Sequence, residues 1–161
     1  MVAMADKSVP TSDHIRDIIS FVEASPTSYH AVAELTRRLE QAGFQRLEET
    51  ESWPSVEGRR YVVRDGAVIA WITPEKVTPQ LGARIVGSHT DSPSFKLKPN
   101  ATVTNQGWQQ VGMEVYGGGL LNSWLDRDLG LSGRLVTCDG QAHLVRTGPI
   151  LRLSRLAVLR V

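Results

Sequence analysis

Residues 59–74 read RRYVVRDGAVIAWITP. Two β-branched runs flank Asp65-Gly66, a dipeptide suited to a tight hairpin turn, and Pro74 closes the second run. The stretch is expected to be a β-hairpin. It marks the point along the chain where a helical pattern gives way to a strand pattern.

Upstream of it, TSDHIRDIISFVEA (11–24) places Ile15, Ile18, Ile19 and Val22 at i, i+3, i+4 and i+7, one face of a helix. Thr11, Ser12 or Asp13 can cap it. After the break at SPTS, Ser28 is expected to cap a second helix with Val32, Leu35, Leu39 and Ala42 as its apolar stripe and Gly43 as its stop. His14 and His30 lie in these helices and are read as structural. Downstream, EKVTPQLG is expected to be a loop, and ARIVG (83–87) a short apolar strand of the kind buried in a sheet centre. SFKLKP alternates Phe95 and Leu97 with Lys96 and Lys98, which suits a half-exposed strand. From about residue 101 no helical period is evident. Short apolar runs, glycines at 117–119 and a CDGQ turn read as β-rich, with a domain boundary expected near Pro99.

The chain has 161 residues, 18 basic and 17 acidic, for a net charge of +1. A balance that even gives no electrostatic footprint for nucleic acid or an anionic membrane. No apolar run approaches the ~18 residues of a membrane helix, and the first ten residues lack the apolar core of a secretory signal. Cys138 is the one cysteine, which excludes an internal disulfide and fits a reducing, cytoplasmic setting. It is read as a small apolar residue on a strand.

Two stretches could carry chemistry. GSHTDSP (87–93) sets His89 and Asp91 two apart at the end of an expected strand, where extended backbone points both the same way. A metal-bound imidazole usually gives its second N–H to a carboxylate, so the pair suits a ligand and its support. It equally suits a turn in which the Asp caps a backbone N–H, and one His with one Asp falls short of the three or four ligands zinc needs. YGGGLLNSWLDRDL (116–129) is neither phosphate-binding glycine pattern, and reads first as a tightly turned loop. Asp126 and Asp128, separated by Arg127, could bind a hard cation but read first as a self-paired surface cluster. His143 reads as an exposed strand residue, and Trp108 and Trp124 as core or interface aromatics.

Taken in order, SPTSYHAV, VGSHTDSPSFKLKP, VGMEVYGGGLLNSWLDRDLGLSGRL and GPILRLSRLAV resemble the aspartyl aminopeptidase family of di-zinc exopeptidases, over about residues 12–158. The resemblance implies an α/β fold: the N-terminal part of a zinc-exopeptidase catalytic domain (1–99), then the start of an inserted β-rich dimerisation domain (100–161). It implies removal of N-terminal aspartate or glutamate from peptides, two zinc ions per complete site, and a homo-oligomer, dodecameric in the family. The family's metal-ligand His falls on His89 and the supporting Asp, grouped with the catalytic residues, on Asp91. No role is carried onto Asp126 or Asp128.

The resemblance also shows departures. The remaining carboxylate ligands, the general-base Glu and the last His of the family have no counterpart in these 161 residues. After RLAV the family typically continues with a His, where this chain has Leu159, Arg160 and Val161. A shifted reading frame or a shortened chain is one expectation from this. The corresponding alternative function is a non-catalytic chain that retains part of the zinc site and an oligomerisation segment.

Overall fold

The computed structural model describes residues 11–53, 57–76, 78 and 82–155. The departure at 159–161 lies outside the described residues, as does part of the expected loop at 75–82. The chain divides into two compact units, Met1–Thr90 and Asp91–Val161.

The first unit sets two helices, α1 (Thr11–Ala24) and α2 (Ser28–Gln41), before a three-stranded sheet of β1 (Gln45–Arg46), β2 (Gly58–Arg64) and β3 (Ala67–Thr73). The expected hairpin is β2–β3, paired antiparallel from Gly58↔Thr73 to Arg64↔Ala67. Asp65 takes the left-handed conformation in its turn, at φ 52°. Gly66 is needed there for space, since a Cβ would come within 2.7 Å of Ser28 Oγ.

That packing moves the cap of α2 by one residue. Thr27, in extended conformation, is the N-cap, its hydroxyl oxygen accepting from His30 N at 3.4 Å and lying 2.8 Å from His30 Nδ1. Ser28 is already helical, and its hydroxyl lies against the Gly66 turn instead. At the other end Gly43, at φ 80°, lets its N–H reach Glu40 O and the N–H of Phe44 reach Leu39 O, both at 2.9 Å. This is the glycine-terminated closure expected at Gly43.

The core of this unit is small: Ala31 and Val32 on α2, Tyr61 and Val62 on β2. Tyr61 is fully buried and donates its O–H to Glu40 Oε1 at 2.6 Å, joining sheet to helix. Burial first, and then the Glu40 carboxylate, push the Tyr61 phenol up to about 12. The Arg37 hydrogen bond first, then that of Arg38, hold the Glu34 carboxyl down at about 2. The Tyr61 contribution to stability is full below pH ~10, the phenol's unfolded value, and is lost as pH rises toward 12. The Glu34 contribution is full above pH 4.5 and is lost as pH falls toward 2. Urea midpoints measured across pH are expected to decline in both windows. Tyr61→Phe should flatten the alkaline decline, and an unchanged decline in that variant would contradict the assignment.

One expectation changes in this unit, and one helical face has a partner that the sequence did not assign. The apolar stripe of α1 forms, but it is not the face packed on α2. Ile15, Ile18, Ile19 and Val22 are 51–63% exposed. The opposite face meets α2, through Asp17 with Arg38 at 2.7 Å and Phe21 under the Arg38 guanidinium at 5.2 Å. ARIVG is not a strand, and Ile85 and Val86 are 88% and 97% exposed. A central strand exists only between hydrogen-bonding neighbours, and none flanks this run among the described residues.

The second unit contains strands and one 3-10 turn, Leu121–Trp124, among its described residues. β4 (Ser94–Asn105) and β5 (Trp108–Tyr116) form a long hairpin, and Gln106 and Gly107 at its tip both have positive φ. The register shifts between Leu97 and Thr102, so that 98–101 bulge opposite Gly112. Pro99 sits in that bulge, where a residue without an N–H costs the ladder nothing. β6 (Asp128–Leu129) pairs with β9 (Leu151–Arg152), and β7 (Ser132–Val136) with β8 (Ala142–Arg146). Phe95 and Trp124 meet edge to face at 5.6 Å, so Trp124 is a packing residue, whereas Trp108 is 73% exposed.

Candidate metal centre

The DSP end of the HTDSP motif and the YGGG motif fold onto each other. Tyr116, the last residue of β5, donates its phenol O–H to Asp91 Oδ2. The Lys96 ammonium sits 3.4 Å from the centre of the Tyr116 ring. Beyond Tyr116 the chain turns back over Pro93. A Cβ on Gly117 (φ 72°) would lie 3.3 Å from Pro93 Cβ, and one on Gly119 3.6 Å from the same atom. The glycines are therefore a seat for Pro93, a reason that spacing alone did not reveal. The hydrogen bond to Asp91, and then its charge, raise the Tyr116 phenol above the ordinary tyrosine value.

His89 closes the irregular stretch 82–89 and is exposed. The residue after it, Thr90, is tied down by donating its hydroxyl to Gly66 O at 2.6 Å. The β2–β3 turn thereby holds the end of this stretch. His89 and Asp91 fall on opposite sides of the division between the two units.

The remaining candidates have structural occupations. Asp128 pairs with Arg152, its cross-strand partner between β6 and β9, at 3.1 Å, and not with Arg127. Asp126 adopts φ 56° and caps backbone, its Oδ1 accepting from Arg155 N at 3.0 Å. His143 is exposed on β8 and Cys138 is exposed in the turn before it, rather than on a strand as expected. Among the described residues no three His, Cys, Asp or Glu side chains gather as a metal site. Zinc requires three or four protein ligands, so the described residues do not by themselves hold it. Tyr116 is the residue at Asp91 that sequence reasoning missed, and no local signal marks it, since only the folded hairpin brings β5 beside residue 91.

Residues 21–158 match the family described as Aminopeptidase I zinc metalloprotease (M18). A "Probable M18 family aminopeptidase 2" of Streptomyces avermitilis is 52% identical over 146 residues, which cover 90% of this chain and 34% of that protein. Its counterpart in Mycobacterium leprae is 44% identical over 149 residues, covering 88% of this chain and 35% of that protein. Among solved structures, the mApe1 dodecamer of S. cerevisiae superposes with a TM-score of 0.81 at 32% identity, over 90% of this chain and 36% of that one. The chain thus has the α/β fold of the M18 aminopeptidases over about a third of their length. No described helix is long and apolar enough to cross a membrane.

Proposed function

Because this chain belongs to the Aminopeptidase I zinc metalloprotease (M18) family, we propose that it is the N-terminal portion of a zinc aminopeptidase that removes acidic residues, aspartate above all, from peptide N-termini. His89 is one metal ligand and Asp91 its supporting carboxylate, in a site that takes two zinc ions when complete. Residues 1–99 belong to the catalytic domain and 100–161 begin a β-rich dimerisation domain of a cytoplasmic homo-oligomer. The reading is supported chiefly by one observation: the carboxylate of Asp91 is held in place by Tyr116, on a loop seated over Pro93. A supporting carboxylate needs a fixed direction, because it sets the tautomer and aim of the imidazole it serves.

Bound zinc would polarise the scissile carbonyl and activate water. This chain's part is to present the His89 imidazole from the end of the stretch anchored by Thr90, and to hold Asp91 steady. The remaining ligands and the general base are not among the described residues. The second reading, a non-catalytic chain, is favoured by that incomplete donor set. The two are compatible: the 161-residue chain alone is expected to release no amino acid from peptides.

The test is a chimera in which this chain replaces the matching third of the Streptomyces avermitilis relative. Release of N-terminal aspartate is expected to exceed that of leucine by about tenfold or more, as a pocket with a matched charge discriminates. Equal rates on the two would remove the acidic preference. Aspartate release by the 161-residue chain alone, dependent on zinc and on His89, would remove the expectation that it is inactive.

A further inference from the structure

β3 (Ala67–Thr73) closes one side of the sheet β1-β2-β3, and among the described residues no second strand lies beside it. Its sequence, AVIAWIT, holds no charge and no proline. Edge strands are commonly blunted by such residues, because an open edge templates pairing with another chain. The same chain shows that blunting on β4, which carries Lys96, Lys98, Pro99 and a bulge. β3 has none of it, and Ile69 and Ile72 are 66% and 64% exposed on its two faces. We infer that the outer edge of β3 pairs with the same edge of a second copy of this chain, antiparallel about a two-fold axis at Ala70. This contact lies in the first unit and does not rest on the dimerisation role proposed above for residues 100–161.

The hairpin decides which groups that edge offers. Residues flanking a two-residue turn exchange hydrogen bonds, and bonded pairs alternate along an antiparallel ladder. Arg64↔Ala67 flanks Asp65-Gly66, so Ala67, Ile69, Trp71 and Thr73 direct their main-chain groups to β2. Val68, Ala70 and Ile72 direct theirs outward. A two-fold axis at Ala70 sets Ala70 opposite Ala70 of the second copy, and Val68 opposite its Ile72 in both directions. That register uses every outward group, for about six main-chain hydrogen bonds. The side chains match as well. Val68 with Ile72 is a β-branched pair on one face, and on the other Ile69 of each copy stands beside Trp71 of its mate. With no charged residue in the strand, no like charges meet across the axis. One strand edge covers less than the ~1,600 Å² of a standard interface, so the dimer depends on concentration.

The experiment is sedimentation equilibrium of the 161-residue chain from about 1 to 300 µM, with amide exchange at matching concentrations. Half-association is expected at roughly tens of micromolar. Exchange at Val68, Ala70 and Ile72 should slow about fivefold across that range, while Ile69, bonded to β2 throughout, should not change. Ile69→Lys places two ammonium groups diagonally across the axis and should weaken association about tenfold or more. Ile69→Glu should do the same, and an equimolar mixture of the two should return to within about threefold of the parent. A mixture no tighter than its components, with their β2–β3 amides still protected, overturns the proposal. The unaltered chain decides the matter even if neither variant folds. A monomer at every concentration overturns the proposal, and so does a dimer whose three outward amides exchange as fast as in the monomer. Protection of those amides at every concentration would set a segment of the same chain on the edge, and overturns it too.

Discussion

In the chimera with the Streptomyces relative, His89→Ala is expected to lower release of N-terminal aspartate about a thousandfold, roughly 4 kcal/mol of barrier. Zinc content per chain should fall in parallel. The size follows from ligand arithmetic. A site of three or four protein ligands that loses its imidazole loses both affinity and geometry. His143→Ala and His14→Ala serve as controls, because both side chains are exposed on regular elements outside the HTDSP stretch of sequence. They should retain activity within about twofold. A His89→Ala chimera within tenfold of its parent, with its zinc retained, would take the ligand role from His89.

Tyr61→Ala is expected to cost about 3–5 kcal/mol, as deletion of a large buried aromatic does. Tyr61 is the one fully buried large side chain among the described residues. Its surroundings also cannot relax cheaply. Its carbonyl accepts from Leu47 N at 2.9 Å, it pairs in register with Arg46 of β1 and Ala70 of β3, and its hydroxyl holds Glu40 of α2. Three other elements therefore meet at this residue, α2 through its side chain and β1 and β3 through its backbone. With total stabilities of small domains near 5–15 kcal/mol, the variant should lose most of the cooperative urea transition seen by circular dichroism. Tyr61→Phe keeps the ring and should lose only about 1 kcal/mol. Equal midpoints for the alanine variant and its parent would mean that the core lies elsewhere.

Local signals were the most legible in the sequence. The Asp65-Gly66 turn, the two helices and the glycine stop at Gly43 are short-range matters of backbone preference, and they stand as read. Long-range partnership was not legible. The stripe Ile15, Ile18, Ile19, Val22 identifies a helix but cannot say which neighbour covers it. ARIVG has the composition of a central strand, but a strand is a relation between segments, and apolar residues alone do not supply one. The cap of α2 moved from Ser28 to Thr27 because Ser28 meets the Gly66 turn, a contact across 38 positions of sequence. At the site, His89 and Asp91 were visible as residue types. Tyr116 was not, since only the folded hairpin brings β5 beside residue 91.

The exposed stripe of α1 and the irregular 82–89 stretch also bear on how such a protein is made. Synthesis runs from the N-terminus, so the N-terminal portion proposed above leaves the ribosome first. At roughly 5–20 residues per second, the rest of a relative three times as long follows over tens of seconds. Throughout that interval four aliphatic side chains on one helix, and Ile85 and Val86 beside Arg84, stand open to solvent. Transiently exposed aliphatic surface of this kind is what makes a growing chain aggregation-prone and dependent on chaperones. Yield in the cell should therefore follow chaperone supply and translation speed more closely than the stability of the finished fold.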